Sequence, residues 1–151
     1  MSILRKSVQR RRAPNALPLG ASVRYVRFVG KVLRRGASGA VGEDIAARVL
    51  SELGCELVAR NVRADGGEID LIIRDGRINV AVEVKTSTDG SDPVEAVDDF
   101  KMNILARTAA GLDIPIGRFD IVGVTLGSDG AVVRWLRGVD GSDPLAQGWN
   151  P

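Results

Sequence analysis

Three carboxylates and a lysine stand close together in the chain, at Glu68, Asp70, Glu83 and Lys85. The segments that carry them, Glu68 to Arg74 and Arg77 to Lys85, are rich in Val, Ile and Leu and are separated by Asp75-Gly76, a strong hairpin signal. A two-residue turn at that pair sets Arg74 opposite Arg77, Asp70 opposite Ala81 and Glu68 opposite Glu83. Alternation then gathers Ile69, Leu71, Ile73, Ile78, Val80, Val82 and Val84 on one face. The other face presents Glu68, Asp70, Glu83 and Lys85. The plain interpretation is the wet side of a half-buried hairpin. Like charges directly opposed are destabilising unless something neutralises them, however, and a hard divalent cation would do so. Mg2+ takes one or two protein carboxylates together with waters and substrate phosphates. Lys85, on the same side, could orient or activate water, or offset charge developing on a phosphate.

Other chemistries are closed to this chain. It has no histidine, which excludes Ser-His-Asp and Cys-His hydrolysis and His-ligated zinc. Its one cysteine, Cys55, can form neither an internal disulfide nor a Cys-rich zinc site, so a reduced, cytoplasmic setting is expected, with Cys55 as a small core residue. Neither GxxxxGK[ST] nor GxGxxG occurs, which argues against nucleotide-driven or dinucleotide chemistry. No apolar run approaches the roughly 18 residues needed to span a bilayer. Arg5-Lys6 and Arg10 to Arg12 precede a short segment holding Pro14 and Pro18, which argues against a signal-peptide core.

With 151 residues, the chain holds about one domain's worth of sequence. Its formal net charge of +2 hides a division, because every basic residue before position 43 stands without an acid, while all 19 acids lie from Glu43 onward. The pattern predicts a basic arm over 1–37, a body over 38–139 and a turn-like tail over 140–151. Within the arm, Tyr25, Phe28, Val29, Val32 and Leu33 fit one side of a helix over 23–35. Arg24, Arg27, Lys31, Arg34 and Arg35 gather opposite, as a solvated face or as phosphate contacts for nucleic acid.

In the body, Val41, Ile45, Val49, Leu50 and Leu53 recur at helical spacing over 40–53, with Glu43 beside the apolar stripe. Three strands follow, Glu56 to Val62 and the two acid-bearing segments. A second helix opens at Asp92-Pro93-Val94-Glu95, where a cap, a first-position proline and a glutamate coincide, and runs to about Gly111. Its inner face would hold Val97, Phe100, Ile104 and Leu105, with Lys101 in the middle of that arc. That lysine either snorkels along its apolar neighbours or points its ammonium at the acids or at a bound phosphate. Strands over Arg118 to Thr125 and Ala131 to Leu136 complete an α/β fold with a mixed, mainly antiparallel five-stranded sheet.

The ordered set Gly42-Glu43, Arg60-Asn61, Gly67-Glu68-Ile69-Asp70-Leu71, Val82-Glu83-Val84-Lys85, Pro93 to Val97 with Lys101, and Arg118 to Val122 resembles the YraN family of uncharacterised bacterial proteins. That family is similar to restriction-endonuclease-like nucleases of the PD-(D/E)xK type, particularly archaeal Holliday-junction resolvases. The resemblance implies a restriction-endonuclease-like core with a helix-flanked sheet, and a Mg2+- or Mn2+-dependent phosphodiester site acting on DNA. It implies Asp70 and Glu83 as metal ligands, Lys85 positioning the attacking water and Glu43 as an accessory ligand, with Glu68 and Lys101 at matching positions. A two-fold-symmetric junction would favour a homodimer. The place two after the motif lysine, often basic in such nucleases, is Ser87.

Overall fold

Alternating β-branched residues bounded by Gly-containing turns make strands, and every strand expected from the sequence forms. The computed structural model describes residues 22–29, 38–96, 98–128 and 130–139. They order as β1 (Ser22–Val29), α1 (Ser38–Glu52), β2 (Glu56–Ala64), β3 (Gly67–Asp75), β4 (Ile78–Ser87), a 3-10 turn (Pro93–Ala96), α2 (Asp99–Ala110), β5 (Arg118–Leu126) and β6 (Gly130–Arg137). The strands build one mixed sheet in the order β1-β6-β5-β4-β3-β2. Only the central β4 and β5 run parallel, joined by the crossover through α2, as parallel neighbours require.

Residues 22–29 correct the sequence expectation: they form an edge strand paired antiparallel with β6, from Ser22↔Arg137 to Val29↔Gly130, and not the helix expected over 23–35. The segment Val23-Arg24-Tyr25-Val26-Arg27-Phe28-Val29 is dense in β-branched and aromatic residues, and the open edge of β6 offers it a ladder, which outweighs apolar spacing that also suits a helix. Arg24 and Arg27 therefore lie within the sheet, registered with Trp135 and Val132. Lys31, Arg34 and Arg35, the rest of the arm and the 140–151 tail lie outside the described residues.

Each face of the sheet carries its own helix. Val41, Ala46, Val49 and Leu50 of α1 pack on Leu71, Ile73, Val80, Val82, Val122 and Val124. Leu105 and Ala109 of α2 pack on Ile69, Ile72 and Ala81. Full burial of such side chains contributes about 1.5 to 3 kcal/mol each, enough to hold the layers together. Glycine sets the closest approaches. A Cβ at Gly42 of α1 would stand 1.8 Å from Thr86 Oγ1 on β4, and one at Gly123 of β5 would stand 2.7 Å from Val94.

The second contact explains the late start of α2. Asp92 accepts a hydrogen bond from the Val94 amide and pairs with Arg134 of β6, so Pro93–Ala96 becomes a separate 3-10 turn seated on β5. The helix proper is capped by Asp98, whose carboxylate accepts from the Lys101 amide at 2.9 Å. Rotating the start in this way turns Phe100 out to solvent, 73% exposed, whereas the sequence pattern placed it inside.

Candidate functional site

The hairpin register differs from the expected one by two residues. Asp75 pairs with Ile78 and Arg74 with Asn79, so the turn is Gly76-Arg77, with Gly76 at φ +64°. A positive φ at the first central residue suits a two-residue hairpin whose twist matches the strands. The Asp-Gly turn with both residues at positive φ is instead Asp65-Gly66, which joins β2 to β3. A shift of two preserves the faces along β4, so Glu83 and Lys85 remain on the side away from α1, whereas on β3 Ile69 and Gly67 face α2 and Glu68 between them leaves the face that the sequence pattern gave it. It also means that Glu68 does not face Glu83 directly.

That side is not wet. Helix α2 covers it and leaves Glu83 only 2% exposed. Glu83 Oε1 lies 3.1 Å from Lys85 Nζ and 3.3 Å from Lys101 Nζ, so the Lys101 ammonium does point at the acids. Glu83 Oε2 is buried without a hydrogen-bond partner among the described residues. A buried carboxylate oxygen in that state is costly unless a cation or a donor meets it.

Asp70 sits where strand β3 is irregular. Its neighbours Ile69 and Leu71, which would share a face of a regular strand, pack on opposite sides of the sheet. The β2–β3 register passes from Arg60↔Leu71 to Val62↔Ile69 without pairing Asn61 and Asp70, and the β3–β4 ladder stops at Leu71↔Val82. Asn61, across from Asp70, takes φ +49°, a conformation that Asn tolerates better than most residues. Past the end of the ladder the Asp70 carboxylate itself accepts the Val84 amide, at 2.7 Å. Burial pushes Asp70 up to about 6; the Val84 hydrogen bond opposes this, the charges of Glu83 and Glu43 add to it, and Lys101 lowers it.

Glu43 arrives from α1, brought close to β4 by the Gly42–Thr86 approach. Asn61 Nδ2 donates to Glu43 Oε2 at 3.4 Å, and Arg60 ties the adjacent Asp44 at 2.6 Å. Burial raises the Glu43 carboxyl above its ordinary value; Arg60 lowers it, and Glu68, Asp44 and Glu83 raise it. Glu68 pairs with Arg63 at 2.6 Å and, with Lys101, lines a cleft of about 600 Å3 between the β2–β3 turn and α2. Ser87 donates to Asp89 at 2.7 Å and so orders the loop after β4 rather than presenting a charge.

Glu43 thus feels the charges of Glu68 and Glu83, and Asp70 those of Glu43 and Glu83, but among the described residues no three acids converge as a formed metal cage. The donor set still fits a hard cation. It is all oxygen, it includes the unpartnered Glu83 Oε2, and Mg2+ needs only one or two protein carboxylates. Asp70 and Glu83 are the residues that would supply them.

One charged network was not anticipated from the sequence. Arg118 and Asp120, 1% and 0% exposed, form a two-pronged ion pair with both contacts at 2.8 Å. Asp120 also accepts from Trp135 Nε1 and the Gly138 amide, both at 2.9 Å, and Asp75 accepts from Arg118 and Arg137. The signal was present: Arg118 and Asp120 alternate onto the core side of an apolar strand, where charges survive only in pairs. The network lies at the start of β5, registered with Val80, whereas Lys85 is registered with Gly123 toward the strand's far end. It anchors the sheet; it is not part of the carboxylate–lysine site.

The fold and site define an α/β protein with a buried glutamate held between two lysines, beside an aspartate at a strand irregularity. The chain belongs to the uncharacterised protein family UPF0102, whose sequence profile matches residues 42–124 and so spans Glu43, Glu68, Asp70, Glu83, Lys85 and Lys101. It is 46% identical over 110 residues to a UPF0102 protein of Solibacter usitatus, covering 66% of this chain and 83% of that protein. It is 44% identical over 115 residues to one of Streptomyces griseus, covering 70% and 97%. A third, from Symbiobacterium thermophilum, is 45% identical over 100 residues, 61% of this chain and 85% of that protein. The family read from the motif order is therefore shown. In addition, among the described residues no helix is long and apolar enough to cross a membrane.

Proposed function

We propose that this protein is a Mg2+- or Mn2+-dependent endonuclease-like protein of the restriction-endonuclease-like class, acting on branched or damaged DNA in the cytoplasm. The observation that carries the reading is Glu83: buried, one oxygen shared by Lys85 and Lys101, the other without a partner. Asp70 and Glu83 would hold the cation, with Glu43 as an accessory ligand. A bound divalent cation supplies charge neutralisation for a phosphodiester and makes water more acidic. Lys85 Nζ holds Glu83 in place and can donate to water or to a phosphate oxygen, and Lys101 adds a second positive charge from α2. The test is cutting of labelled branched and duplex DNA with Mg2+ or Mn2+ by wild type, Glu83→Ala and Lys85→Ala. Equal cutting by all three refutes the site.

A second reading is a non-catalytic nucleic-acid-binding or scaffold module that keeps the same fold. It is favoured by the Glu83 charge being already balanced by two ammonium groups. Calorimetry separates the readings: the nuclease requires a Mg2+ or Mn2+ site that Asp70→Ala weakens, and the module requires none. A second copy of the chain is the expected partner on a two-fold-symmetric junction.

A further inference from the structure

Helix α2, which lines the cleft beside the carboxylate–lysine site through Lys101 and Ile104, carries an exposed aromatic ring one turn before Ile104. Phe100 is the most exposed large hydrophobic residue among those described, at 73%. It stands in the first turn of α2, one helical turn before Ile104, which lines the cleft, so the two side chains neighbour each other on the same helix face. Arg63 and Lys101 bring two positive charges to the same cleft, beside the carboxylates of Asp65 and Glu68. The Arg63 side chain is 81% exposed, and its pairing with Glu68 is a surface ion pair of the kind that a phosphate displaces readily. At Gly66 there is open space where a Cβ would stand, so no side chain rises there to block a ligand. Lys101 links the cleft to the chemistry, because its ammonium touches Glu83.

Resting on the nucleic-acid reading above, we propose that this cleft is a subsite for one unpaired nucleotide of the DNA: its base stacks on Phe100, and its phosphate meets Arg63 and Lys101. An exposed ring stacks on any base because every base has a π-face, and flanking cations hold the backbone. Such a subsite would select DNA with unpaired bases over continuous duplex, and would hold a strand beside Glu83.

The test uses the full-length protein with Ca2+, a forked DNA carrying 2-aminopurine in its single-stranded arm, and a matched duplex. Wild type should prefer the fork and change the 2-aminopurine emission. Phe100→Ala should lose that change and bind the fork about fivefold to a hundredfold more weakly, with duplex affinity unaltered. Phe100→Trp should retain both properties. Fork binding by Phe100→Ala equal to wild type overturns the subsite, while Glu83-dependent cutting leaves the proposed function standing. Wild type that binds neither DNA overturns both. A change in sedimentation of Phe100→Ala with DNA binding intact assigns the ring to a protein contact and overturns the subsite.

Discussion

Replacing Asp70 by Asn should stabilise the metal-free protein. A carboxyl that titrates near 6, where its ordinary value is 3.8, is disfavoured in its charged form by about 3 kcal/mol, at about 1.4 kcal/mol per tenfold. Asp70 is only half-buried, and solvent on its open side reduces this to about 1 to 2 kcal/mol. Asn keeps the oxygen that accepts the Val84 amide and removes the charge that Glu83 and Glu43 oppose. The effect has a defined pH window. Between about pH 4 and 6 the folded protein retains a proton on Asp70 that the unfolded chain has released, so wild-type stability falls as pH rises through that range. The variant lacks this loss. Thermal unfolding in chelator should show no gap near pH 4 and a variant more stable by about 3 to 8 °C at pH 7.5. The shift at Asp75, set by Arg118 and Arg137, acts in both proteins and cancels in the difference. A gap independent of pH, or a variant less stable at pH 7.5, would refute the account of Asp70 as a charge held against its environment.

Lys101→Met removes one of the two ammonium groups on Glu83 and should raise Mg2+ affinity about tenfold by calorimetry, since less positive charge then competes for the carboxylate. Unchanged or weaker binding would show that Lys101 does not compete. Asp120→Ala strands the buried Arg118 and should cost about 3 to 5 kcal/mol in urea unfolding; a loss under about 1 kcal/mol would mean that Asp75 alone suffices. Cys55 is 6% exposed and its thiol is pushed up to about 11, chiefly by burial, so a thiol reagent at pH 7.5 should label it only as fast as the protein unfolds. Rapid labelling of the native protein would contradict that packing.

The sheet was legible where one signal had no competitor. Gly-rich turns and runs of Val and Ile placed all five strands of the body to within about two residues. The errors fall where two signals competed. Tyr25, Phe28 and Val29 satisfy a helical period, but the β-branched and aromatic residues Val23, Tyr25, Val26, Phe28 and Val29 also favour a strand, and only the free edge of β6 decides between them. Asp92-Pro93 is a sound helix start that loses to Asp98, because Asp92 is engaged by Arg134 and Val94 is seated against Gly123. Contacts of that kind cross the fold and leave no mark in a local window.

The acidic side chains were legible for a reason that survives the register error: hairpin faces depend only on odd or even position, so a shift of two leaves Asp70, Glu83 and Lys85 on the same side of the sheet. What parity cannot show is the break at Asp70. A regular β3 would align Ile69 with Leu71 and give Asp70 no free amide to accept; in the fold, Asn61 adopts a left-handed conformation, the β3–β4 ladder ends at Leu71, and Val84 donates to the carboxylate. Strand irregularities re-aim side chains, and here the irregularity falls on the one acid whose titration is pushed to about 6. Helix α2 then adds what an isolated hairpin lacks, a cover that buries Glu83 and a second lysine to meet it. The pairing of an irregular strand with that cover distinguishes this face from an ordinary charged sheet surface.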